Sequence, residues 1–138
     1  MREQLAKGLT NAIAHAGSDA ARADGLLDEL LRWAANHLQD GKAQLIAFHG
    51  CVAAFAAGLE HGLVRVHAVQ SAAGLVPGLP RDDEARRLAR MLLELVLKCL
   101  DRGAGPAQAA LDAAGQVLCA CKAHFGAEQR PESPADRD

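Results

Sequence analysis

The chain has 138 residues, of which half are hydrophobic and 23% charged, and its formal net charge is −2. That is enough chain for one domain with a core of its own, and the composition is that of a globular protein and not of a disordered one. The slight acidic excess argues against a dedicated nucleic-acid binder or an anionic-membrane binder, because each phosphate contact calls for a cation.

The apolar half is Ala-rich, and aromatics make up only 3% of the chain: Trp33, Phe48, Phe55 and Phe125, with no Tyr. Ala favours helix and lets helix axes approach closely. Large aromatic-walled pockets need residues this chain mostly lacks, so no organic cofactor is expected. The four cysteines, Cys51, Cys99, Cys119 and Cys121, follow an N-terminus without the apolar run of a secretory signal. They are therefore read as thiols in a cytoplasmic protein and not as a disulfide framework.

Leu5, Leu9, Ala12, Ile13 and Ala16 recur at helical spacing and predict a first helix ended by Gly17. Ser18 offers a cap to a second, with Asp19 favourable at its positive end. The second stripe is Ala23, Leu26, Leu27, Leu30, Leu31, Ala34 and Leu38, with Asp28, Glu29 and Arg32 on the opposite side. Asp40-Gly41 closes that helix, and Asp40 caps the next.

The third segment is the most apolar. Leu45, Phe48, Val52, Phe55, Leu59, Leu63 and Val66 hold the spacing, and Ile46, Cys51, Ala53 and Ala56 widen the stripe. The uncharged stretch 43–59 is shorter than the roughly 20 residues that span a bilayer and contains Gln44 and His49, which predicts a buried helix and no membrane partner. One helix continued to Val76 would be about 54 Å long, too long for this domain, so a break is expected at Gly58 to Gly62. Val76-Pro77-Gly78-Leu79-Pro80 is a loop. Asp82 or Asp83 caps a helix with the stripe Ala85, Leu88, Ala89, Leu92, Val96, Cys99 and Leu100, stopped by Gly103. Gly105-Pro106 opens the last helix. Its predicted core face is Ala107, Ala110, Leu111, Ala114, Leu118, Cys121 and Phe125. Residues 127–138 are polar and Pro-punctuated, which predicts a disordered tail after a domain of residues 1–126. No strand pattern is present. The fold class is all-α, a bundle of five to six helices with antiparallel neighbours.

Arg81, Arg86, Arg87, Arg90 and Arg102 form the one basic concentration, interleaved with Asp82, Asp83, Glu84 and Asp101, which predicts surface pairing. Cys121 and His124 share a helical face at i, i+3, half of a metal site, but Cys119 and Cys121 point apart and no C-x-x-C is present. No metal is expected. No serine sits in a nucleophile-type turn and no glycine-rich phosphate loop follows a strand, so no catalytic residue stands out.

One segment suggests chemistry. His67 stands in an Ala-rich helix with Gln70, Ser71 and Gly74 at i+3, i+4 and i+7. This resembles the phosphoacceptor helix of histidine phosphotransfer domains, where small residues leave room for a phospho-donor protein. The resemblance implies a phosphoacceptor His67, but the family's Lys three residues on is Gln70 here. The reading the whole sequence favours is a non-enzymatic helical interaction module, adaptor, regulatory or chaperone-like, with a protein partner; the alternatives are a phosphorelay protein acting through His67 and a metal-responsive protein using Cys121 and His124. Self-association is expected through the apolar excess of residues 45–66.

Overall fold

The computed structural model describes residues 3–16, 19–62, 64–101 and 107–129. Six α-helices occupy them, α1 (Glu3–Ala14), α2 (Ala20–Ala35), α3 (Gly41–Glu60), α4 (Val66–Leu75), α5 (Asp83–Asp101) and α6 (Ala107–Gln129), with one 3₁₀ turn at Val76–Gly78. Among the described residues there is no strand. Ser18, Gly103, Gly105 and Pro106, and the predicted tail from 130 onward, lie outside the described residues, while α6 itself continues past Gly126 to Gln129.

Carboxylates set the starts of α2, α3 and α5, while α4 starts at Arg65 without a side-chain cap. Asp19, not Ser18, caps α2: its Oδ1 accepts from the Arg22 N–H at 3.0 Å. Asp40 Oδ1 accepts from the N–H groups of Lys42 and Ala43, and Asp82 Oδ1 from that of Ala85 at 2.9 Å. Each satisfies a donor that has no partner within its own helix.

The end of α2 comes earlier than the apolar stripe predicts, at Ala35, and Leu38 is exposed. A buried side chain from the next helix explains the stop. Gln44, only 3% exposed, donates its amide to the carbonyls of Ala34 at 2.8 Å and His37 at 3.0 Å. Each of these carbonyls also accepts from a backbone N–H, Ala34 from His37 and His37 from Asp40, so Gln44 adds a second donor to both. Gln44 therefore fastens the α2–α3 corner, and Gly78 packs close over it, with a Cβ there placed 3.1 Å from Gln44 Cγ. The break after α3 falls where expected, with Gly62 in the left-handed region at φ 73°.

Paired contacts give the helix directions. Gly50 of α3 lies level with Leu30 and Thr10, while Gln44 reaches Ala34 and His37, so α2 runs against α3. Arg65 donates to the Ala54 carbonyl at 2.9 Å, and Gly78 meets Gln44, so α4 also runs against α3. Pro80 sits beside Gly41, which starts α5 at the end where α3 starts. Only residues 15–19 separate α1 from α2, and His124 near the end of α6 reaches Leu79 and Arg81 ahead of α5, so α1, α3 and α5 run one way and the others run back. The central helix is α3, in contact with α1, α2, α4 and α5.

This position explains an apolar pattern that runs nearly all round α3. Ala43, Ile46, Ala47, Phe48, Cys51, Val52, Ala54, Phe55 and Ala57 are all buried within the one chain. The bundle itself covers most of the excess in residues 45–66, and self-association through that segment loses its motive. By length and composition α3 alone among the described helices could cross a membrane, but two-thirds of that stretch (67%) is buried inside the bundle.

Two other predicted faces need correction. In α1, Ala6, Thr10 and Ile13 face the core, and Leu5 is exposed. In α6, Ala113, Val117, His124 and Phe125 are buried, Leu111 and Leu118 are exposed, and Cys121 is half-buried. The cause in α6 is its neighbour: α4 offers Ala68, Val69 and Ala72 as its buried residues, and a close helix crossing takes Ala and Val in preference to Leu.

Candidate functional site: a groove between α1, α3 and α5

Both α1 and α5 lie against α3, but they leave a strip of it uncovered between them. The result is an open groove of about 1000 Å³. Its floor is the α3 row Lys42, Leu45, Ile46, His49 and Ala53, at i, i+3, i+4, i+7 and i+11, which is one helical face. Lys7, Thr10, Asn11 and Ala14 form the α1 wall and Glu84, Arg87, Leu88 and Met91 the α5 wall. From Lys42 to Ala53 the floor runs about 17 Å, or three helical turns.

The ends of the groove differ. Lys42 lies in the first turn of α3 and Glu84 in the first turn of α5, which start at the same end, while Ala53 and Met91 lie further along the two helices. The nearby Asp40 and Asp82 do not line the groove; their carboxylates face the backbone of their own helices. The lining holds no Phe or Trp. It does hold Met91, exposed and adaptable in shape.

Sequence periodicity does not find this groove, because its two walls are 70 to 84 residues apart in the chain. A signal was nonetheless present. Lys42 and His49 interrupt the most apolar helix at i, i+7, and Gly8 sits inside α1 with nothing within 4 Å of a Cβ built on it.

His67 lies on a different face, at the seam between α2 and α4. Its side chain is 55% exposed, Ser71 is half-buried, and Gln70 and Gly74 are exposed. The four share one helical face as their spacing requires. The neighbour that periodicity could not supply is Asp28 of α2, whose Oδ1 is 3.4 Å from His67 Nε2.

Cys121 and His124 are not brought together with further ligands, and no cluster of three or more metal-binding side chains exists among the described residues. His124 is buried, and its Nε2 lies 2.7 Å from the Leu79 carbonyl. A carbonyl only accepts, so Nε2 carries the proton and is committed to the loop before α5. The His124 carbonyl in turn accepts from Arg81 Nε at 3.0 Å. Burial raises the Cys121 thiol pKa, which disfavours the thiolate a metal needs. Cys51 and Cys99 are buried and Cys119 is exposed.

The arginines do not form one basic face. Arg86 pairs with Asp83 at 3.3 Å and lies over the Phe125 ring, Arg90 borders the α5–α6 cleft, and Arg87 turns into the groove. Arg102 lies outside the described residues. No family model, curated protein or solved structure matches this chain.

Proposed function

We propose that the protein is a non-enzymatic helical interaction module of the cytoplasm that receives an amphipathic helix of a partner protein in the α1/α3/α5 groove. The observation that carries this reading is the α3 row that floors the groove, where Leu45 and Ala53 are half-buried and Ile46 lies beneath them nearly covered. A central helix packed on its other sides keeps one three-turn strip open, floored by Leu45, Ile46 and Ala53 and flanked by Leu88 and Met91. Helix-in-groove recognition uses such a strip, with apolar anchors at i, i+3, i+4 and i+7 and a polar rim. A photo-crosslinking residue at Ala14, on the groove wall, tests it against one at the exposed Gly115 of α6. A partner helix crosslinked only from position 14 supports the reading, and equal crosslinking from both positions removes it.

A second reading has one observation in its favour: His67 is exposed on a face uncrowded by Ser71 and Gly74. A phosphorelay protein needs that access. Against it stands Asp28, whose negative charge faces the nitrogen that would receive a phosphoryl group, with Gln70 where a cation would help. The groove reading is the one adopted.

A further inference from the structure

We propose that α6 pairs antiparallel with the α6 of a second copy of this chain, about a two-fold axis level with Val117. Self-association thereby moves from α3, which the bundle covers, to the last helix. One face of α6 carries Leu111, Asp112, Gly115, Leu118, Cys119 and Lys122, all exposed, at i, i+1, i+4, i+7, i+8 and i+11. Its two leucines are 50% and 46% exposed, while Ala113, Val117 and His124 turn inward.

The charges of this face point to a copy of itself as the occupant. Asp112 and Lys122 stand ten residues apart, about 15 Å along the helix, with Val117 midway. A copy turned end for end about that midpoint brings the partner's Lys122 level with Asp112 and the partner's Asp112 level with Lys122. One contact is then made twice, as a two-fold interface requires. The Asp112 carboxylate accepts from the neutral Gln108 amide at 3.0 Å and keeps its charge. Lys122 borders the α5–α6 cleft together with Arg86 and Arg90; Arg86 is taken up by Asp83, and Arg90 adds to the positive potential there. A parallel copy would instead set Asp112 against Asp112 and Lys122 against Lys122, which is repulsive.

The same register also packs. Position 115 falls level with position 119 of the partner, and the partner's Leu118 falls between Gly115 and Cys119, a knob over a hole. Nothing lies within 4 Å of a Cβ built on Gly115, so that surface is open to receive the leucine. Cys119 has only that glycine opposite it and stays the most open thiol. Two leucines a side over three turns make a small interface, of the weak and reversible kind. None of the six face residues lines the α1/α3/α5 groove, so the dimer and the groove stand or fall separately.

Sedimentation equilibrium of the full chain across the micromolar range should report a concentration-dependent dimer. Asp112→Lys and Lys122→Asp each set two like-charged pairs across the axis and should raise the dimer dissociation constant about tenfold. The combined Asp112→Lys/Lys122→Asp should return it to within about threefold of wild type. Leu118→Lys should leave a monomer with unchanged circular dichroism. Disulfide trapping reads the register. Gly115→Cys brings a thiol within disulfide span of the partner's Cys119, whereas the two native Cys119 residues stand about 6 Å out of level. Under air oxidation with copper–phenanthroline, Gly115→Cys should run as a covalent dimer on a non-reducing gel and wild type as a monomer. A monomer at every concentration would overturn the proposal. A dimer that Leu118→Lys leaves intact would place the interface elsewhere and overturn it too. A double exchange as weak as either single one, or trapping of wild type but not of Gly115→Cys, would overturn the antiparallel register.

Discussion

Gly50 and Gly8 make a matched pair in which one substitution should act with opposite signs. Both lie inside helices, so helix propensity alone gives Gly→Ala a gain of up to about 1 kcal/mol at each. At Gly8 nothing lies within 4 Å of the added Cβ, and that gain should appear. At Gly50 the added Cβ drives into Leu30 Cδ2. Leu30 is fully buried, and Thr10 Oγ1 lies 3.5 Å away on the α1 side, so the leucine cannot simply step aside. Overpacking of this kind costs about 1–3 kcal/mol. Subtracting the propensity gain, Gly50→Ala should be destabilised by about 1 kcal/mol and lie about 2 kcal/mol below Gly8→Ala. Urea titrations followed by circular dichroism should show the midpoints moving apart at constant slope. In thermal melts the gap should be roughly 6 °C. Equal stability of the two variants would refute the helix crossing described for α1, α2 and α3.

Three further outcomes follow from the same contacts. Gln44→Leu should cost about 1–2 kcal/mol in urea unfolding, because the carbonyls of Ala34 and His37 each lose one of two donors. A loss under about 0.5 kcal/mol would show that Gln44 does not fasten that corner. Among the thiols, exposed Cys119 should alkylate first in the native protein, while Cys51, its pKa pushed up by burial from 9.0 to about 12, should stay unmodified until unfolding. Mass spectrometry after a short exposure to iodoacetamide reads the order. The raised pKa favours the folded state fully below about pH 9, and stability should fall as pH climbs from there toward 12, by roughly 1.4 kcal/mol per unit at most. A stability profile flat to pH 11 would contradict it. His67→Gln should leave stability within about 0.5 kcal/mol, since the exposed pair with Asp28 contributes little. An acid-labile phosphoamidate on wild-type protein, lost in His67→Gln, would favour the phosphorelay reading over the groove.

Much of this bundle was legible because strongly amphipathic helices announce their faces. The α5 residues Ala85, Leu88, Ala89, Leu92, Val96 and Cys99 are buried as their spacing predicts. The break between α3 and α4 was legible through Gly62. Where alanine dominates, the pattern misleads: in α6 the large Leu111 and Leu118 looked like core, but the α4 crossing selects Ala113 and Val117. In α2, Leu38 extended the stripe past a stop imposed by Gln44, a partner no local pattern names. The groove was the least legible feature. It belongs to no single helix, and its signs were two polar residues in α3 and a glycine in α1, each ordinary alone.

The groove is tested most directly by filling it. Ala53 lies half-buried on the floor and Gly8 opens onto the α1 wall, so Ala53→Trp and Gly8→Leu each occupy the strip from a different side. Binding of a designed amphipathic helical peptide with Leu at i, i+3, i+7 and i+10 should be measured by isothermal titration calorimetry for wild type and both variants, with their thermal melts alongside. The account predicts a measurable affinity for wild type and at least about a tenfold loss in each variant that still melts within a few degrees of it. Undiminished binding to both folded variants would contradict it.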